Sequence, residues 1–137
     1  MTVDLYAGNA AVSIDPADGG RLTSLVVGGH ELLYRAGDDP TMSGSFVMAP
    51  YAGRIRHGRF SHHDRDVHLP INLPPHAAHG LTHDRPWTLL EQDETSAILS
   101  CTFDGRLPFG VRVVQYIRIE PDRLVQKVAI EADQRSF

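Results

Sequence analysis

A chain of 137 residues, 42% hydrophobic and 22% charged, holds enough apolar material for one globular core, so a single domain spanning 1–137 is expected. The formal net charge is −4, and Lys and Arg are scattered evenly among Asp and Glu; this excludes the basic stripe that phosphate backbones require, and no nucleic-acid partner is expected. The single cysteine, Cys101, has no internal partner, the amino terminus lacks the basic start and apolar run of a leader, and no apolar stretch has the length of a bilayer span, so the reading is a cytoplasmic protein without membrane contact.

In chain order, Leu22-Thr23-Ser24-Leu25-Val26-Val27 and His30-Glu31-Leu32-Leu33-Tyr34 flank Gly28-Gly29, a pair suited to the positive φ of a two-residue hairpin turn. Arg59-Phe60-Ser61 and Val67-His68-Leu69 bracket the polar residues 62–66, which predicts a short hairpin with an exposed tip. Between Pro70 and Pro86 the alternation lapses, and Pro70, Pro74, Pro75 and Pro86 exclude a helix interior or a central strand, leaving irregular backbone of the kind on which sites are built. In 97–103 the odd positions Ala97, Leu99, Cys101 and Phe103 are apolar while Ser100 and Thr102 are polar, the signature of a half-buried strand. Val111 to Ile119 and Leu124 to Ile130 flank Glu120-Pro121-Asp122-Arg123, a turn with proline at the bend. Pairing Ile119 with Leu124 then sets Ile117 against Gln126 and Val113 against Ile130, with most apolar side chains on one face. Many short strands with Gly and Pro turns and hardly any helical periodicity predict an all-β, antiparallel sandwich or barrel.

Two stretches hold residue types that strand propensity does not ask for. Residues 49–60 place Tyr51, Arg54, Arg56, His57 and Arg59 close together, and arginine offers a permanently charged fork of donors for hydroxyls, carboxylates or phosphates. A surface ion pair is the ordinary role of such an arginine. Arg54 is the exception, because it stands between apolar Ala52 and Ile55, where an unpaired guanidinium is costly if buried. The second stretch, residues 76–87, carries His76, His79, His83, Arg85 and Trp87. Imidazole exchanges protons near neutrality, and Trp87 adds a flat apolar face of the kind that packs on a sugar ring. Loop histidines are more often solvated or structural than catalytic. The spacing of His76, His79 and His83 would suit a metal on a helix, but the flanking prolines argue against that helix, so neither metal nor cofactor is expected.

Taken together, these stretches resemble the aldose 1-epimerase (galactose mutarotase-like) family, in which an Asn-Arg-Ile element precedes a His-Gly element. The first reads Pro50-Tyr51-Ala52-Gly53-Arg54-Ile55-Arg56-His57-Gly58-Arg59-Phe60 here. The second reads Leu69-Pro70-Ile71-Asn72, then His76-Ala77-Ala78-His79-Gly80-Leu81 and Arg85-Pro86-Trp87. Gly19-Gly20-Arg21-Leu22-Thr23-Ser24-Leu25 looks like the family's first hairpin, so the resemblance covers nearly the whole chain. It implies a galactose mutarotase-like antiparallel β-sandwich, the supersandwich type, of which 1–137 is an apparently truncated N-terminal part. It also implies interconversion of the α and β anomers of aldohexoses, with His79 catalytic and Arg54, His79, Arg85 and Trp87 binding the sugar.

Gly53 departs from the pattern, standing where the family usually has asparagine. The family's second histidine (general acid), its aspartate and its general-base glutamate belong to the half that would follow residue 137. The isolated chain is therefore expected to be weak or inactive. Its uncovered edges are expected to draw in another copy, as a homo-oligomer, or a complementing C-terminal half. Two other readings stay open: a non-catalytic carbohydrate-binding β-sandwich module, and a hexose-phosphate 1-epimerase that holds phosphate with Arg54, Arg56 and Arg85. A metal-dependent cupin-like barrel would need a His-x-His pair that this stretch lacks.

Overall fold

The computed structural model describes residues 1–35, 37–103, 107 and 110–132. Along the chain run β1 (Val3–Ala7), β2 (Ala10–Asp15), β3 (Arg21–Val27), β4 (His30–Glu31), β5 (Arg54–Ile55) and β6 (Arg59–His62). They are followed by β7 (Arg65–His68), β8 (Ala77–Ala78), β9 (Thr88–Gln92), β10 (Ser96–Phe103), β11 (Val111–Glu120) and β12 (Arg123–Ala132). Helix among the described residues is confined to the single 3-10 turns Pro40–Met42 and Arg56–Gly58, and no helix there is long and apolar enough to cross a membrane.

Two four-stranded antiparallel sheets, in the orders β1-β2-β3-β4 and β12-β11-β10-β9, form a sandwich, and two small ladders, β5-β8 and β6-β7, accompany them. The sheets meet where β1 and β2 pack on β10 and β11. Their inward residues form one core, with Leu5, Val12, Ile14, Leu22, Leu99, Val113, Ile117 and Ile119 all fully buried. Burying each such side chain contributes about 1.5–3 kcal/mol. A one-residue slip would turn a whole row of them to water, which no surface pair offsets, so the alternation locks the register. Gln115 is the polar exception in this core: its amide donates to the Gly20 carbonyl at 2.8 Å and accepts from the Gln126 amide at 3.0 Å, tying the turn before β3 to the opposite sheet.

The hairpin expected at the end of the chain forms with the anticipated register: Ile119 opposes Leu124, Ile117 opposes Gln126 and Val113 opposes Ile130. In β10 the odd positions are buried as expected, and Cys101 is one of them, its thiol pushed up from the ordinary value by burial. The Gly28-Gly29 and 62–66 hairpins also form, the latter with a tighter tip at His63 and Asp64. Five strands go beyond the sequence reading: β1, β2, β5, β9 and β8, the last a two-residue strand inside the stretch read as irregular backbone. β1 and β2 bury Val3, Leu5, Ala10, Val12 and Ile14 in strict alternation. β9 shows no alternation at all, being mostly exposed. The Gly19-Gly20 segment leads into β3, the central partner of β2 and β4, and the first hairpin of the chain is instead β1-β2.

Candidate active site

β8 is only two residues long because the chain turns at both ends: His76 bonds back to Leu73, its N–H donating to the Leu73 carbonyl at 2.7 Å, and His79 enters the left-handed region. One of its edges pairs with β5, Arg54 opposite Ala78 and Ile55 opposite Ala77. Along the other edge, the Asn72 side chain imitates a strand: its amide nitrogen donates to the Ala78 carbonyl at 2.8 Å and its oxygen accepts from the Ala78 N–H at 2.7 Å. His79 follows, its N–H donating to the Gly53 carbonyl at 2.9 Å. Its φ is +65°, a conformation that costs an L-residue about 1–2 kcal/mol and must be enforced by its surroundings.

That enforcement is visible in the next residues. Leu81 N–H donates to the Ala49 carbonyl at 2.7 Å, Thr82 Oγ1 donates to the Val47 carbonyl at 3.0 Å, and the Trp87 indole donates to the Thr82 carbonyl at 3.0 Å. Gly80, at φ +78°, lies so close to Ala49 that a Cβ would meet the Ala49 oxygen at 2.3 Å. The His-Gly pair is thus a backbone requirement: the glycine lets the chain press on Ala49 while the histidine turns beside Gly53.

Phe46 is the hub on the other side of this loop. The His79 ring meets it edge-on at 6.3 Å between centroids, the His83 ring lies at 5.4 Å, and the Arg21 guanidinium sits 4.8 Å from its centre. Arg21 is buried and well satisfied, donating from Nε to Asp18 at 2.9 Å and from Nη1 to the carbonyls of Pro40 and Ser43 at 2.6 and 2.7 Å. Burial holds the His83 imidazole below its ordinary 6.5; His79 and Arg21 lower it further, while Asp84 and Asp18 oppose the shift. Buried His79 Nδ1 and His83 Nε2 have no hydrogen-bond partner among the described residues.

The expected site residues are placed unequally. Arg54 and His79 stand on neighbouring segments of one ladder, with Arg54 sharing a face with Ala78, the residue preceding His79. Arg54 is exposed, which corrects the argument from burial between Ala52 and Ile55; neither it nor Arg56 has an ion pair among the described residues. Trp87 corrects the expectation of an open aromatic platform: it is 4% exposed, part of the core, and its N–H is committed to Thr82. Arg85 is half-buried with its guanidinium over the Phe103 ring at 5.2 Å, and its Nε has no partner among the described residues. His76 is occupied too, its Nδ1 accepting from the His57 N–H at 3.1 Å. Among the described residues no group of three or more His, Cys, Asp or Glu side chains is placed to hold a metal ion. Sequence reasoning missed Phe46 and Arg21 as walls of the site. Phe46 lies in a segment without regular pattern, and nothing in one sequence marks it. Cavities of about 260 and 330 Å³ lie on the second sheet and share no lining residue with the surroundings of His79.

Comparison with known proteins places this arrangement in context. Solved structures from Escherichia coli K12 (TM-score 0.86, 19% identity) and Synechocystis sp. PCC 6803 (TM-score 0.80, 22% identity) superpose on 96% of the chain. So does a galactose mutarotase-like protein from Clostridium acetobutylicum (TM-score 0.79, 20% identity). The chain spans 46%, 48% and 45% of those three proteins, about half their length. At such identities the likeness shows the fold alone. No curated protein matches in sequence. The sequence model for aldose 1-epimerase matches residues 2–136, taking in both the Gly-Arg-Ile element on β5 and the His-Gly turn after β8, and the chain therefore belongs to the aldose 1-epimerase family.

Proposed function

We propose that this chain binds an aldohexose at the β5-β8 ladder, as part of a site that interconverts the α and β anomers. The observation that carries the reading is the pairing of Arg54 with Ala78 beside a left-handed His79, which brings onto one ladder a guanidinium without an ion pair and an imidazole whose buried Nδ1 has no hydrogen-bond partner among the described residues. Anomer exchange needs a base to take the C1 hydroxyl proton while an acid protonates the ring oxygen, so that the ring opens, the C1 carbonyl turns, and the ring recloses. His79 supplies one proton-transfer partner. Arg54 stays charged and serves to hold and polarise sugar oxygens rather than to exchange protons. With one such partner, the 137-residue chain assayed alone binds sugar better than it turns it over.

A second reading has its own support. Exposed Arg54 and Arg56, both without an ion pair among the described residues, suit the phosphate of a hexose phosphate. Competition between glucose and glucose 6-phosphate separates the two. The main reading is tested by sugar titration and by anomer exchange followed by NMR. We expect binding that Arg54→Ala and His79→Asn each weaken roughly tenfold or more, the loss of a hydrogen bond to a charged or strongly polar group. Unaltered binding in both variants would overturn the site, and unaltered exchange in His79→Asn would remove the catalytic role.

A further inference from the structure

His79 Nδ1 and His83 Nε2 share a circumstance that the sugar reading leaves unused. Both nitrogens are buried, and neither has a hydrogen-bond partner among the described residues. Orphaning one such atom carries the whole cost of its desolvation, so two of them beside one ring ask for a common partner. That ring is Phe46, which His79 meets edge-on at 6.3 Å and His83 at 5.4 Å between centroids. A charge on His79 is felt at His83. The backbone that carries the two imidazoles is pinned. Leu81 N–H and Thr82 Oγ1 donate to the Ala49 and Val47 carbonyls, and Gly19 lies so close to His83 that a Cβ there would meet the His83 oxygen at 2.2 Å. Both nitrogens are covered by residues of this chain itself, so whatever packs on the outer surfaces of the sandwich does not reach them.

We infer, resting on the sugar-site reading, that His83 is a positioning residue that fixes the tautomer of His79: His83 Nε2–H donates toward His79 Nδ1, which leaves the His79 proton on Nε2 as a donor to the sugar. A neutral imidazole has one proton, and the bond made by one nitrogen decides where that proton sits. Of the two buried nitrogens, one must donate and the other accept. When His83 donates, both rings carry their proton on Nε2, the tautomer a free imidazole side chain prefers. The reverse direction forces both rings into the disfavoured Nδ1–H form. The direction is the same whether the nitrogens meet through a small turn of the rings or span one buried water. Burial first, then His79 and Arg21, hold the His83 value below 6.5 against Asp84 and Asp18, so above that pH the ring is neutral and has a single proton to place. This arrangement puts His79 beside the ring oxygen, which needs a donor, and not the C1 hydroxyl, whose proton needs a bare acceptor.

Nitrogen NMR of the histidine rings in the 137-residue chain, at about pH 8 and so well above the ordinary imidazole value, tests this. We expect His79 as the Nε2–H tautomer in the parent and in His83→Gln, whose side-chain amide keeps a donor. His83→Glu offers only acceptors at that pH and turns His79 to the Nδ1–H form. Sugar binding then falls roughly tenfold or more, whereas the same change made in His79→Asn alters binding less than about twofold, because His83 acts through His79. The ring spectra need no sugar, so they judge the link between the two histidines even where titration rejects the sugar site. Should His83→Glu fail to fold, His83→Leu decides: loss of the donor moves the His79 Nδ1 resonance toward that of a free imidazole. A parent His79 in the Nδ1–H form, a tautomer indifferent to His83→Glu, or an Nδ1 resonance unmoved in His83→Leu would overturn the inference.

Discussion

His79 and Gly80 occupy the left-handed region in succession, at φ +65° and +78°, and the two positions have different physical needs. At His79 the side chain is kept and the strain is carried by the hydrogen bonds on either side of it. At Gly80 there is no room for a side chain, because a Cβ would lie 2.3 Å from the Ala49 oxygen and 2.5 Å from its nitrogen, and backbone cannot yield as a flexible side chain does. Gly80→Ala is expected to cost roughly 2–4 kcal/mol in urea unfolding. Gly53 makes the contrast: its φ is +72°, but no atom of the described residues lies within 4 Å of a Cβ built there. Asparagine tolerates that conformation, so Gly53→Asn should stay within about 1 kcal/mol of the parent. It should also tighten sugar binding by returning the side-chain amide that the family pattern carries. A large loss of stability in Gly53→Asn would show that this position, too, is closed to side chains.

A two-residue strand such as β8 does not hold itself in place, and its position depends on the Asn72 clamp as much as on β5. Ala78 is buried, so losing the clamp leaves an N–H and a C=O unpaired. Asn72→Ala is therefore expected to destabilise by about 2 kcal/mol or more. Asn72→Asp keeps an acceptor for the Ala78 N–H but sets a second oxygen against the Ala78 carbonyl, so it should recover no more than part of that loss. Unfolding curves for the two variants check both statements, and an Asn72→Asp protein as stable as the parent would mean the amide donor does not matter. Elements differed in legibility for the same kind of reason. The β11-β12 hairpin, register included, was legible because a two-residue turn and period-two burial specify it locally. β9 was illegible, since it pairs with β10 at the sheet margin with little burial and no alternation.

At the scale of the whole molecule, His83 links stability to pH. Its folded-state value lies below 6.5, chiefly through burial, so between the two values the unfolded chain binds a proton that the folded chain refuses. Stability is therefore lost as pH falls below about 6.5 and is insensitive to this group above it. Urea midpoints at about pH 7.5 and about pH 5.5 should differ in the parent, and the difference should shrink in His83→Gln. The lowered carboxylates Glu31 and Asp93 act below their ordinary 4.5 and 3.8 and stay out of this window. An undiminished difference in His83→Gln would assign the pH response to other groups. The sequence by itself determined the all-β architecture, the inward row of β10, the terminal hairpin register and the two motifs that bear the family resemblance, because periodicity, turn chemistry and motif spacing are local properties of the chain. Only the tertiary structure decided that Arg54 reaches solvent, that Trp87 is core and not platform, and that Phe46 meets Arg21 from one segment and His79 and His83 from another. Burial and neighbourhood are properties of the packed sandwich, set by which distant segments meet, and no local pattern encodes them.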